Sequence, residues 1–254
     1  MEIMFSLYVN MIHKYTVEQK LGGGRFGQVY QGHAHRSTTP LAIKIECRDD
    51  CNLGMLRHEA SILHLLNQRG VANVPRVVWW GACSKNEGGE TVLALVMQPV
   101  FALALSPGCD LDLTRMVAKM IGMLQAIHDA GIVHRDIKPK NFMWLHRHVS
   151  SSPELYILDF GLATSFATSL AAESDENELQ EHIVGTPKFI SLNVHRGHRP
   201  SRRDDLISVV YIAVSFLQQL PWDPVLPSDD PSAESWKLPE YHVQHPRNQE
   251  RQRL

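Results

Sequence analysis

The hydrophobic periodicity of this chain changes once, and that change limits the folds open to it. Over residues 15–46, short β-rich runs alternate with Gly-rich or polar turns, so 15–21, 28–35 and 41–46 predict three antiparallel strands. Asn52 offers an N-cap for a following helix, with Leu53, Leu56, Ala60, Leu63 and Asn67 at helical spacing before Arg69-Gly70 stops it. Residues 74–80 and 91–97 add two more strands. Beyond Gln98-Pro99 the period becomes helical: 111–130 predicts an amphipathic helix closed by Gly131, and 201–219 a second, with Leu206, Val209, Val210, Ala213 and Phe216 clustered. The expected class is α+β, with a small antiparallel lobe carrying one helix (15–98) and a mainly helical lobe (99–222). Residues 1–14 read as an N-terminal extension. The text from Pro221 onward holds six of the fourteen prolines (Pro221, Pro224, Pro227, Pro231, Pro239 and Pro246), and residues 223–254 read as a Pro-rich, disordered tail.

A length of 254 residues is enough to bury a substantial core in one large domain or two lobes. The formal net charge of -2 gives no general attraction to nucleic acid or anionic membrane, and no apolar run is long enough to span a bilayer, so neither is expected as a partner. Cys47, Cys51, Cys83 and Cys109 lack the paired C-x-x-C spacing of common zinc sites, and no secretory signal precedes them. They read as reduced thiols of a cytoplasmic or nuclear protein.

Four motifs carry chemistry. Gly22, Gly24 and Gly27 form G-x-G-x-x-G, a bare backbone that can lie close over phosphates. A dinucleotide-binding loop would lead into a helix, whereas the text after Gly27 is β-rich. Leu41-Ala42-Ile43-Lys44 matches a strand whose lysine reaches the α- and β-phosphates of a nucleotide, and Glu59 on the next helix is the acid expected to hold that ammonium. In His134-Arg135-Asp136-Ile137-Lys138-Pro139-Lys140-Asn141, Asp136 can accept or orient a hydroxyl proton, Lys138 can neutralise a γ-phosphate, and Asn141 can ligate Mg²⁺. Asp159-Phe160-Gly161 follows the strand-like 155–158, and Asp159 would supply the second metal-binding group.

In this order and at these spacings the motifs resemble those of protein kinases, specifically the casein kinase 1 group with its tau-tubulin branch. Gly185-Thr186-Pro187-Lys188-Phe189-Ile190-Ser191-Leu192-Asn193 is similar to that group's G-T-x-R-Y-A-S-x-N, Ser201-Arg202-Arg203-Asp204-Asp205-Leu206 to its S-R-R-D-D-L, and Leu220-Pro221-Trp222 continues the likeness. The stretch 145–154 looks more like the tau-tubulin branch. The resemblance covers about residues 15–222. It implies a bilobal kinase fold, ATP and Mg²⁺ as cofactors, and transfer of the γ-phosphoryl group to protein Ser/Thr hydroxyls. It also implies that Val29 and Ala42 cover the adenine ring, with Met97 as gatekeeper ahead of a Gln98-Pro99-Val100 hinge. Thr186 would align Asp136 and Lys138, and Asp205 would hold the backbone of the loop around Asp136.

Three departures modify that expectation. Where group members carry basic residues between D-F-G and G-T, this chain has Glu173, Asp175, Glu176, Glu178 and Glu181, which is expected to weaken selection of acidic substrates. Lys188, matching an anion-facing arginine of the group, is expected to preserve part of it, without arginine's planar fork. The stretch 100–110 is short and lacks the group's Leu-Glu-Asp-Leu helix. Few residues follow Trp222, so the large lobe is expected to be truncated, exposing Phe216 and Leu217 for a partner or self-association to cover. The alternative to an active kinase is then a kinase-like scaffold of weak or no activity. Intact Lys44, Asp136, Asn141 and Asp159 argue against it.

Overall fold

A computed structural model describes residues 14–24, 27–46, 54–84, 91–100, 103–104, 113–145, 154–165 and 183–223. Strands β1 (Tyr15–Gly24), β2 (Gly27–Ala34), β3 (Pro40–Ile45), β4 (Arg76–Ser84) and β5 (Thr91–Gln98) form an antiparallel sheet in the order β1-β2-β3-β5-β4. Helix α1 (Met55–Gln68) lies between β3 and β4 in sequence. The Asn52 cap expected for it lies outside the described residues, as do Cys47, Cys51, Cys109, the run Glu173 to Glu181, and 224–254.

Strand β4 differs from expectation at both ends. It begins two residues later than 74 because Asn73 takes φ 61 and the Asn67 side chain clamps the turn, donating to the Pro75 carbonyl at 3.0 Å and accepting from Val77 N–H at 2.9 Å. It continues past Gly81 because the β5 ladder runs on through Gly81↔Ala94 to Ser84↔Thr91, so cross-strand pairing overrides the turn preference of glycine.

The larger lobe contains α2 (Leu113–Asp129), α3 (Leu192–His195) and α4 (Arg202–Leu217). Strand β6 (Leu103–Ala104) pairs with β8 (Phe142–Leu145), which pairs with β9 (Glu154–Ile157), and β7 (Ile132–Val133) pairs with β10 (Thr164–Ser165). Helix α4 starts after Ser201, whose N–H donates to Asp204 Oδ2 at 2.8 Å, satisfying a group the helix itself cannot.

The pleat divides the sheet's two faces between two cores. Tyr15, Val17, Tyr30, Leu41, Ile43, Ile45, Cys83, Val92, Ala94 and Val96 pack together on the face away from the large lobe. Leu95 and Met97 point the other way and join Leu56, Leu63 and Leu66 of α1, Met120, Leu124 and Ile127 of α2, and Phe142, Ile157 and Phe160 in one core that crosses between the lobes. Phe216 is half-buried against that core, correcting the expectation that it is exposed, whereas Leu217 at 74% exposure and Val210 at 56% lie open. Both follow from helical spacing, which turns Phe216 inward beside Ile212 and leaves Val210 and Leu217 on the outer stripe.

Candidate active site

Sheet register brings together the residues expected to face a nucleotide. Val29 pairs with Lys44, and Ala42 with Met97. Directly opposed residues share a face, as do residues two apart, so Val29, Ala42, Lys44 and Met97 project from one side of the sheet. Gly22, Gly23 and Gly24 pair with Val29, Gln28 and Gly27 across the β1–β2 hairpin at the edge of that face. Gly27 has φ 133, and a Cβ there would stand 2.5 Å from the Ile45 carbonyl oxygen, so the hairpin needs glycine at this point. Gly22 has open space where a Cβ would be, leaving its backbone accessible. Gln98-Pro99 is a cis peptide, and Val100 beyond it is half-buried.

Lys44 binds two carboxylates from separate elements. Its Nζ donates to Glu59 Oε2 at 2.7 Å and to Asp159 Oδ1 at 2.9 Å. Lys44 and Glu59 are buried, at 7% and 3% exposure. Burial alone would drive the ammonium toward its neutral form, but the two carboxylates outweigh it and hold its pKa above the ordinary lysine value. Burial pushes the Glu59 carboxyl up, with Lys44 opposing. Asp159 is also desolvated, yet Lys44, with Lys138 and His134 farther off, keeps it below the usual carboxylate range.

Two side chains that sequence reasoning missed lie around α1, one near its start and one tying it to a distant segment. Gly54 provides no side-chain cap, so the helix's first N–H groups need another acceptor. Glu46, just beyond β3, stands near that end of the helix: burial pushes its carboxyl up while the N–H groups of Leu56, Met55 and Gly54 draw it down, and its Oε1 is buried with no hydrogen-bond partner. His58 Nε2 lies 2.7 Å from the Ala163 carbonyl, tying α1 to the chain just past Asp159-Phe160-Gly161. The only sequence signal for Glu46 was an acidic residue near a helix start; His58 gave none.

The second cluster centres on Asp136, which is 3% exposed. Thr186 Oγ1 donates to its Oδ1 at 2.7 Å, Lys138 Nζ to its Oδ2 at 2.7 Å, and Asn141 Nδ2 to its backbone carbonyl at 2.8 Å. Lys138 Nζ also reaches Thr186 Oγ1 at 3.2 Å. Beneath this cluster, Asp205 Oδ2 accepts from His134 N–H and Oδ1 from Arg135 N–H, both at 2.9 Å, while His128 Nε2 stands 2.9 Å from Oδ2. Asp205 thereby supports Arg135, a non-glycine residue at φ 69. Its neighbour Asp204 accepts from Ser191 Oγ at 2.5 Å, so the segment from Gly185 to Asn193 and the start of α4 meet through this contact. Gly185 takes φ 107, and a Cβ there would stand 2.7 Å from the Arg135 carbonyl oxygen.

Strand pairing brings the two clusters together. Phe142 pairs with Ile157, and Leu158 N–H donates to the Asn141 carbonyl at 2.8 Å, so Asn141 and Asp159 emerge from adjacent strands. His134 Nε2 is 3.0 Å from the Leu158 carbonyl, and its ring packs 4.8 Å from that of Phe160. With the Asn141 amide nitrogen turned to Asp136, its oxygen is the atom left for a cation. That oxygen and the Asp159 carboxylate form a hard donor pair that fits Mg²⁺ completing its shell with phosphate and water. No cluster of three or more His, Cys, Asp or Glu suited to a metal occurs among the described residues, and Cys83 is a free, buried thiol pushed up to about 11.

Lys188 is placed otherwise than expected. Its Nζ lies 2.8 Å from Asp223 Oδ1, so the ammonium assigned to substrate anions is held by a carboxylate of its own chain. Among the described residues, no helix is long and apolar enough to cross a membrane. A glycine hairpin over a buried lysine and a paired loop around Asp136, joined by an interlobe core, form the bilobal arrangement that the motifs implied. The sequence model for the protein kinase domain matches residues 15–235, and the chain belongs to that family.

Proposed function

We propose that this protein kinase is a serine/threonine kinase of the casein kinase 1 type, using residues 15–98 as its nucleotide-holding lobe and 99–222 as its substrate lobe. The observation that carries this reading is the simultaneous contact of Lys44 with Glu59 and Asp159 beside an Asp136 that already holds Lys138 and Thr186. Gly22, Gly24 and Gly27 cover the phosphates of ATP, and Val29, Ala42, Met97 and Val100 enclose its base. Lys44 is the cation for the α- and β-phosphates, prevented by Glu59 from swinging away. Asn141 and Asp159 would hold Mg²⁺, which when bound would neutralise charge on the phosphates. Asp136 orients the acceptor hydroxyl and takes its proton, while Lys138 balances charge moving onto the γ-phosphoryl oxygens. The serine/threonine assignment rests on the likeness of the Gly185 to Asn193 and Ser201 to Leu206 segments to that group.

The test is phosphate incorporation from Mg-ATP into casein and tubulin-type substrates by the wild type, Asp159→Ala and Lys44→Met, followed by phosphoamino-acid determination. Phosphoserine and phosphothreonine from the wild type, with both variants down at least about 100-fold, is the expected result. Equal incorporation by all three sinks the enzyme reading, phosphotyrosine sinks the acceptor class, and nucleotide binding without turnover supports a scaffold.

A further inference from the structure

Lys188 stands two residues beyond Thr186, whose hydroxyl donates to Asp136 Oδ1 at 2.7 Å. The backbone that carries Lys188 is therefore close to the groups that would meet an acceptor hydroxyl. A cation at that place would ordinarily attract acidic side chains of the substrate. Here it is occupied: Asp223 Oδ1 lies 2.8 Å from Lys188 Nζ.

The turn carrying Asp223 is fastened at several points. Trp222 Nε1 donates to the Lys188 carbonyl at 2.9 Å, and the Trp222 ring meets Tyr211 of α4 edge-on with centroids 4.9 Å apart. Asp223 Oδ2 accepts from Leu220 N–H at 3.0 Å, and Leu220 is only 2% exposed. Desolvation would raise the Asp223 carboxyl, but Lys188 and the Leu220 N–H outweigh it and hold it below the usual range. A carboxylate thus stands beside the ammonium in a turn that packing has already ordered, so forming the pair costs little side-chain entropy.

We propose that Asp223 is a specificity determinant, an internal anion that occupies Lys188 and closes this position to acidic groups of the substrate. The proposal rests on the kinase reading for its site but not for its measurement. Every other charged group is the same in all variants, so a ratio between acidic and neutral peptides isolates Lys188.

Asp223→Asn retains an acceptor for Leu220 N–H while removing the charge. Two fluorescein-labelled serine peptides, one flanked on both sides by Glu and the other by Gln, are titrated by anisotropy into the full-length chain, and the same peptides are assayed for phosphate incorporation. Asp223→Asn is expected to favour the Glu peptide over the Gln peptide about two- to fivefold more than wild type does, as suits a half-buried ion pair. Asp223→Asn with Lys188→Gln is expected to restore the wild-type ratio. An unchanged ratio in Asp223→Asn overturns the proposal, as does a double variant shifted as far as the single one. A shifted binding ratio without phosphate transfer upholds Asp223 while defeating the kinase reading; transfer with an unshifted ratio does the reverse.

Discussion

The two charged clusters of the site are built by different means. Around Asp205, one carboxylate on α4 accepts backbone N–H groups from His134 and Arg135, so the loop bearing Asp136 is held by its main chain. Around Lys44, three side chains from β3, α1 and the segment after β9 meet at their charged tips, and each could withdraw without breaking a strand or helix. The first cluster belongs to the fold of the large lobe. The second exists only while α1 is seated, by its apolar face in the interlobe core and by the contact of His58 with Ala163. Chemistry that must not move is therefore bonded to backbone, whereas the group that must meet a nucleotide is held by a reversible contact.

The largest effect that would break this comparison is expected at the backbone-held cluster. Asp205→Ala leaves two buried N–H groups without their acceptor and should cost about 3–5 kcal/mol in urea unfolding, with loss of phosphate transfer. A loss below 1 kcal/mol would show that the loop holds itself. Gly185→Ala should follow, costing about 1–3 kcal/mol, because its positive φ and the Arg135 carbonyl leave no room for a Cβ. By shifting Thr186 from Asp136 it should lower kcat about 10- to 100-fold with little change in KM for ATP.

Lys44→Met tests the side-chain cluster through pH. Without the ammonium, the already raised Glu59 carboxyl rises further, and a carboxyl raised in the folded state costs stability as pH climbs through that raised value. The destabilisation relative to wild type should thus be small near pH 5 and larger near pH 8 by urea unfolding; a pH-independent difference would mean that Glu59 stays ionised. The smallest effect is expected from His58→Ala, about 0.5–1.5 kcal/mol, seen as faster amide exchange in α1 with slower exchange preserved in α2. Equal acceleration in both helices would deny α1 its independence.

Much of the site could be read from sequence because kinase chemistry concentrates in short motifs. The contact of Lys44 with Glu59, 15 residues away, was expected from the Leu41-Ala42-Ile43-Lys44 motif and the spacing of the following helix, and the two side chains do meet. Asp136, Lys138 and Asn141 lie within six residues, so local order places them. The role of Asp205, 71 residues from His134, came only with the family resemblance. The contacts of His58 with Ala163, 105 residues away, and of Lys188 with Asp223 were not legible, since no local pattern records which side chains the packed lobes bring together. For Lys188 the likeness to an anion-facing arginine carried no sign of Asp223, because that carboxylate lies in another motif.

The division of the sheet's faces bears on the order in which a growing chain can become native. Every residue of the outer-face core, from Tyr15 to Val96, has been made before the large lobe begins, so that half of the small lobe can consolidate early. The loop around Asp136 has no such independence. His134 leaves the ribosome 71 residues ahead of Asp205, an interval of roughly 4–14 s at ~5–20 residues per second. Throughout that interval its main-chain groups must be satisfied by water or by a chaperone, making the loop around Asp136 among the last parts of a newly made molecule to take its final shape.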